Sequence, residues 1–478
     1  MGTRGGSAAA LTVLLAVLLS ACANGDRGPI NSFVAEVGPA SPEYIPDPGD
    51  DGSVVVGLSF SGGGARAAAF AYGVLRELDS YVIDEDPYER TLVDDVRMVS
   101  GTSGGAIAAA YFGYRGKDGY HDFRQRFLDA NAEASMRTAV VPSNVVRVLR
   151  GGVNDRGKFA RWLDDNLFDR GTFRSLKRAD APVVWLTASD IYHGTPFLFT
   201  YDTFAALCSD LDEVKLADAV AASAAFPLVF TPIAVSADAP ECGYQRPAWL
   251  DRALGDPDAP LRLKAHARSL VAYRDKSDLK RLRLLDGGLT DNNGLAGFST
   301  ARAAANTPYG PLSPEEAVRL RRLVYIVADA GREAAPEWGA SSKDLRIREL
   351  LPALSRTAIT SSMRDGYDAL KLAIKAWKNE LVAYRCGLSR TQVRRIRGSA
   401  AGWDCRDIDV TVEHLSFRDA DPRSHAALND VPTRLALEER QVELVIEAGR
   451  QAVRSKPSIQ AAVAETRRQS GLPVAMTR

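Results

Sequence analysis

Five residues, Gly101-Thr102-Ser103-Gly104-Gly105, set one hydroxyl among glycines where an apolar run gives way to an alanine-rich one. A Gly-x-Ser-x-Gly pattern there suits a tight turn that lifts a serine above a sheet edge and begins a helix at once. The chemistry it allows is nucleophilic attack on a carbonyl: the hydroxyl has little cover, and a helix N-terminus favours negative charge developing on the substrate. The pentapeptide alone is equally compatible with a structural turn. Upstream, Gly62, Gly63 and Gly64 can aim backbone N–H groups at one point, as an oxyanion hole requires. They do not make a phosphate loop, because no Gly-Lys-Ser/Thr follows and GGGARA departs from the dinucleotide fingerprint. Arg66 is placed to orient this loop or to meet an anionic headgroup. A serine nucleophile needs a base. Asp286, in LLDGGLTDNNG, follows an apolar run and precedes two glycines, where a carboxylate can stand at a sheet edge; read alone, it is an ordinary turn residue.

These groups need a scaffold that brings distant segments to one edge. SVVVGLSF (53–60) predicts a buried strand, followed after the glycines by a helix to about Leu78. A second strand is predicted over 96–100, with a helix from Gly104 to about Tyr114. Further apolar runs at 182–189, 282–288 and 321–329, separated by helical patterns, predict an α/β fold with a mainly parallel sheet. The stretch from Asp129 to Trp162 is partly amphipathic and reads as a lid, a membrane-facing surface or a packed hairpin. Residues 336–405 read as a variable region of mixed helix and loop, in which DALKLAIKAWKNELVAY is the strongest helical pattern. A strand over 407–413 and a helix over 436–453 follow, and residues 456–478 read as a polar, loosely held tail.

Taken in order, GGGARA, GTSGG and DGG resemble the signature of the patatin-like phospholipase family. TASDIYHG (187–194), ASAAFPLVFTPI (222–233) and LNDVPTRLALEERQVELVIEAGR (428–450) are similar to further parts of that family, which places Asp190 in a structural role. Ser61 stands where the family often has aspartate or glycine, and Ala67 where many members have glycine. The resemblance implies a three-layer α/β fold over residues 51–455, with helices on both faces of a mainly parallel sheet. It also implies a Ser-Asp dyad of Ser103 and Asp286, an oxyanion hole at Gly62, Gly63 and Gly64, and no cofactor or metal. The expected activity is serine acyl hydrolysis of phospholipid, lysophospholipid or another acyl ester, with segments 129–146 and 222–233 as candidate walls of an acyl channel. A Ser-Asp-His triad is the mechanistic rival, since His414 and His425 follow Asp286 in chain order; His193 and His266 precede it, and His121 follows the nucleophile helix. A noncatalytic envelope lipoprotein, using the same scaffold to bind lipid or protein, is the rival of another class.

The chain of 478 residues, 46% hydrophobic, is long enough for a substantial core. Its 60 basic and 60 acidic side chains balance, so no global field draws it to nucleic acid. Arg4 and the apolar run ending at Leu19-Ser20-Ala21-Cys22 resemble a bacterial lipoprotein signal, which implies lipid attachment at Cys22 and a flexible tether over 23–50. Ala23 after the cysteine resembles outer-membrane sorting, so the expected location is the bacterial cell envelope, lipid-anchored. The remaining cysteines, 208, 242, 386 and 405, allow two disulfides, for which 208–242 and 386–405 is the simplest of three connectivities. Their spacing does not suit a zinc site. The oligomeric state is left open.

Overall fold

The computed structural model describes residues 28–38, 45, 51–86, 88–136, 154, 156–227, 229–275, 278–332 and 347–473. The expected signal segment, Cys22 and the amphipathic stretch over 137–153 lie outside the described residues.

Strand β1 (Val54–Phe60) is buried throughout; it sends Val54, Val56, Leu58 and Phe60 to one core and Val55 to another. A strand that is apolar on both faces belongs in the middle of a sheet covered on both sides. The other strands of its sheet are β2 (Val96–Thr102), β3 (Val183–Asp190), β4 (Thr195–Leu198), β5 (Ile233–Ser236), β6 (Arg281–Leu285), β7 (Arg322–Asp329) and β8 (Asp409–Ser416). Their order is β8-β7-β1-β2-β3-β6-β5, with β4 folded back on β3. From β8 to β3 the strands are parallel, whereas β4, β5 and β6 are antiparallel to their neighbours. The sheet is thus mainly parallel, as the sequence predicts, and the apolar run before Asp286 enters it antiparallel.

The helices used below are α1 (Gly64–Leu78), α2 (Gly104–Gly119), α3 (Leu216–Ser223), α4 (Ala296–Ala304), α5 (Ile347–Cys386), α6 (Glu439–Arg454) and α7 (Pro457–Gln469). Helices α1, α2, α3 and α6 share one core with Val324, Ile326 and Ala328 of β7; α4 and α5 share the other with Leu323, Tyr325 and Val327. The alternation along β7 shows directly that the sheet is covered on both faces. On α5, Leu370, Ile374, Trp377 and Leu381 recur at helical spacing and are fully buried, each contributing roughly 1.5–3 kcal/mol.

Two expectations are corrected here and one is given its form. The region read as mixed helix and loop holds, in its described part, one continuous helix of 40 residues over Ile347–Cys386, which carries that apolar stripe, and a short helix over Arg390–Arg397, with turn and loop after them. The predicted polar tail forms α7: Pro457 begins the helix, and Ile459, Ala462, Val463 and Thr466 make a buried face, small and partly polar in residue type, followed by charges at Glu465, Arg467 and Arg468. The predicted flexible tether is fastened over its described part. Ile30 N–H donates to Ala234 O of the edge strand β5 at 3.0 Å, Asn31 binds Ser209 and Ser236, and Val34 N–H donates to Cys208 O at 2.9 Å. This strap covers a sheet edge that would otherwise present unpaired backbone groups. The disulfides are Cys208–Cys242 and Cys386–Cys405, the local pairing. Among the described residues no helix is long and apolar enough to cross a membrane.

Candidate active site

Strand β2 ends at Thr102 and α2 begins at Gly104, leaving Ser103 at the turn with φ 53 and ψ −120. A side chain in this left-handed region is strained, and the surroundings hold it there. Ser103 N–H donates to Ser223 Oγ at 2.8 Å, and that hydroxyl donates onward to Thr187 O at 2.6 Å. Beneath the turn, Ser59 and Ser100 hydroxyls lie 2.8 Å apart, Tyr325 OH is 2.9 Å from Ser59, and Ser100 donates to Gly294 O. Gly104 permits the close approach of the two helix starts: a Cβ there would press on Gly64 O.

Asp286 follows β6 and arrives at the same edge. Its N–H donates to Ala225 O at 3.0 Å, and the next N–H, of Gly287, donates to Ser223 O at 2.9 Å. Ser103 Oγ donates to Asp286 Oδ2 at 2.7 Å, while Gly288 N–H donates to Oδ1 at 2.8 Å. Both side chains are nearly covered, at 9% and 7% exposure. Burial pushes the Asp286 carboxyl up from 3.8 to about 6, against the opposing pull of the hydrogen bonds from Ser103 and Gly288. The result is a stronger base than an ordinary aspartate, already in contact with the proton it would accept.

The glycine loop needs one correction. Gly62 N–H is spent on Asn292 O at 2.9 Å, so it cannot serve as an oxyanion donor in this conformation. Gly63 and Gly64, at φ 144 and 62, make no N–H hydrogen bond to another described residue and remain the available donors. Ala65 N–H closes the loop from the far side by donating to Arg434 O at 2.6 Å. Arg66 turns inward: it is 4% exposed and donates to Ala330 O at 3.0 Å and Val431 O at 2.9 Å. Its guanidinium is thus spent on main-chain carbonyls outside the glycine loop.

All five histidines are engaged elsewhere. His121 lies 3.4 Å from Asp79, His193 2.5 Å from Asp190 and His414 3.3 Å from Asp329. His425 is 3.1 Å from Ala420 O, and the buried His266 stacks on Trp249. Neither Ser103 Oγ nor Asp286 has a histidine partner among the described residues. Asp190 is fully buried and also accepts from Tyr192 N–H and Tyr273 OH, the structural role expected of it.

The patatin-like phospholipase family model matches residues 58–298, which is half of the chain and includes the glycine loop, Ser103 and Asp286. The chain belongs to the patatin-like phospholipase family. No curated protein is matched by its sequence. Among solved structures, the patatin-like chain is similar to human GIVD cytosolic phospholipase A2, with a TM-score of 0.40 and 13% identity over 88% of this chain and 63% of that one. The same human protein in complex with methyl gamma-linolenyl fluorophosphonate gives a TM-score of 0.39 and 15% identity, over 88% of this chain and 60% of that one. VipD from Legionella pneumophila gives 0.30 and 12%, over 91% and 72%. The chain thus spans about three-fifths of the length of the human protein.

Three contributors escape sequence reasoning: Ser223, Asn292 and Arg434. Ser223 sits in the ASAAF segment quoted for its resemblance, yet nothing in the segment's composition marks its hydroxyl as the acceptor for Ser103 N–H. Asn292, in the DNNG turn, and Arg434 act through main-chain carbonyls, which carry no residue-type signal at all.

Proposed function

We propose that the chain is a serine acyl hydrolase of phospholipase A or lysophospholipase type, working through a Ser103–Asp286 dyad. The observation that carries the reading is the 2.7 Å hydrogen bond from Ser103 Oγ to Asp286 Oδ2, made at a strained turn beside the open N–H groups of Gly63 and Gly64. Free aspartate is far too weak a base to ionise serine beforehand, so the proton passes from Ser103 Oγ to Asp286 as the oxygen attacks the ester carbonyl. Gly63 and Gly64 N–H groups and the α2 N-terminus stabilise the tetrahedral oxyanion. Collapse breaks the ester C–O bond; the leaving alcohol takes the proton from Asp286, and the acyl group stays on Ser103. Water then adds to the acyl-enzyme, giving its proton to Asp286 on attack. When the second intermediate collapses, that proton returns to Ser103 Oγ and the carboxylic acid departs.

Lipid as the acyl source is supported by family membership and by the exposed Phe226 and Val229, in the segment whose Ala225 carbonyl holds Asp286 N–H. Lipid attachment at Cys22, with outer-membrane sorting by Ala23 in a bacterial envelope, is part of the same proposal and rests on the lipobox-like sequence alone. The test is labelling by an ester-directed fluorophosphonate, followed by lipidomic turnover with the wild type, S103A and D286A. Labelling of Ser103 that disappears in S103A, with lysolipid or fatty acid released only by the wild type, is expected. A folded, detergent-solubilised protein that takes no label would favour the noncatalytic binding role.

A further inference from the structure

The C-terminal edge of the sheet carries a second concavity, of about 1010 Å³, beside the dyad. It opens where β7 ends at Asp329, and residues 356–368 of α5 supply its opposite wall. Strand β7 lies two positions from β2 in the sheet, which puts this rim about 10 Å from Ser103 at ordinary strand spacing. Asn292 and Asn293 form the partition. Asn292 O accepts Gly62 N–H on the catalytic side, while the two side-chain amides reach Met363 Sδ at 3.1 Å and Met363 O at 3.3 Å on the other.

The cleft is lined by Arg332, Arg356, Arg364 and Arg418 against Asp329 and Asp368. Asp329 is already engaged by Gly331 N–H at 2.7 Å and by His414 at 3.3 Å. Arg332 is fixed by donation to Val431 O at 2.6 Å, and Arg356 meets Arg332 O at 3.4 Å, so two guanidinium groups are steered to the same rim. Arg66 lies within electrostatic reach behind them: burial first, and then the charges of Arg332 and Arg356 against the opposing charge of Asp329, lower it to about 10. Guanidinium groups crowded in this way repel one another, and an anion between them relieves the repulsion.

We infer that this cleft is a subsite for a phosphate ester, and that it receives the phosphate of an anionic glycerophospholipid whose acyl ester lies at Ser103. The inference rests on the acyl-hydrolase reading for its substrate and on the arginine-lined cleft for its ligand chemistry. Arg66 is committed to main-chain carbonyls, so the cationic work falls to Arg332, Arg356 and Arg364. The surplus of positive charge selects anionic over zwitterionic headgroups.

The test compares the full chain with R356Q/R364Q on phosphatidylglycerol and phosphatidylcholine vesicles, with a short-chain nitrophenyl ester reporting on the dyad. The wild type is expected to prefer phosphatidylglycerol at least tenfold in kcat/KM. The double variant should lose that preference through KM, keep its rate on the nitrophenyl ester, and recover in R356K/R364K. Equal rates on the two lipids in the wild type, or a variant equally impaired on all three substrates, overturns the inference. Titration of S103A with dihexanoyl phosphatidylglycerol and with inorganic phosphate reads the cleft without turnover. Lipid binding by S103A that is lost in S103A/R356Q/R364Q supports the subsite even if the wild type cleaves no ester, which would sink the hydrolase reading separately. Absence of lipid binding, or inorganic phosphate binding as tightly as the lipid, overturns the lipid assignment.

Discussion

Replacing Asp286 by asparagine separates the cost of the proposed base from its use. Asparagine keeps the shape and can still accept Gly288 N–H, but it cannot ionise. The carboxyl is raised from 3.8 to about 6, chiefly by burial. At about 1.4 kcal/mol per tenfold change in proton affinity, that difference amounts to about 3 kcal/mol. The folded state holds the proton more tightly than the unfolded chain, so this stabilisation is fully present below pH 3.8 and lost as pH rises through about 6. At pH 8 the wild type therefore carries a costly buried carboxylate, and D286N is expected to be about 3 kcal/mol more stable. About half of the advantage should remain at pH 5, and about a fifth at pH 4. Guanidinium denaturation of both proteins at pH 4, 5 and 8, with disulfides intact, measures it. Turnover should move the other way: kcat/KM of the wild type on a soluble ester rises with pH and reaches half its plateau near pH 6, while D286N falls by about 10³–10⁴-fold. A stability difference that does not vary with pH, or a wild-type profile flat from pH 5 to 8, would refute the reasoning.

Other expectations concern the supports of the site. S223A removes the acceptor for Ser103 N–H and the donor to Thr187 O in a dry environment; it should cost about 2–3 kcal/mol in denaturant unfolding and lower kcat more than it changes KM. R66K cannot reproduce the fork to Ala330 O and Val431 O, and a loss of about 2–3 kcal/mol together with reduced turnover is expected from thermal melts and ester assays. H414A and H425A, measured separately on a soluble ester, should each stay within about twofold of the wild type in kcat/KM; a collapse of acyl-enzyme formation in either would reinstate the triad.

The nucleophile turn, the glycine loop and the Asp-Gly-Gly element were legible because each requires particular residue types: glycine for positive φ or close approach, serine and aspartate for the chemistry. The central strands were legible because two-sided burial writes an unbroken apolar run. What was hidden depends on contacts far apart in the chain. Ser103 meets Ser223 across 120 residues, and the loss of Gly62 N–H to Asn292 O is a matter of main-chain geometry that no side chain announces. Helix α7 is hidden because two of its four buried residues are alanine and threonine, which carry little apolar signal, and the strap over 28–38 because its hold on the edge strand runs largely through backbone groups.

Ser223 and its neighbour two positions on have a mechanical consequence. The hydroxyl of Ser223 holds the Ser103 amide, its carbonyl holds the Gly287 amide, and Ala225 O holds the Asp286 amide. One short piece of backbone therefore carries both ends of the proton-transfer path. Vibration or drift of that piece displaces donor and acceptor together, so their separation is insulated from motions of the surrounding loops that would otherwise pull them out of step.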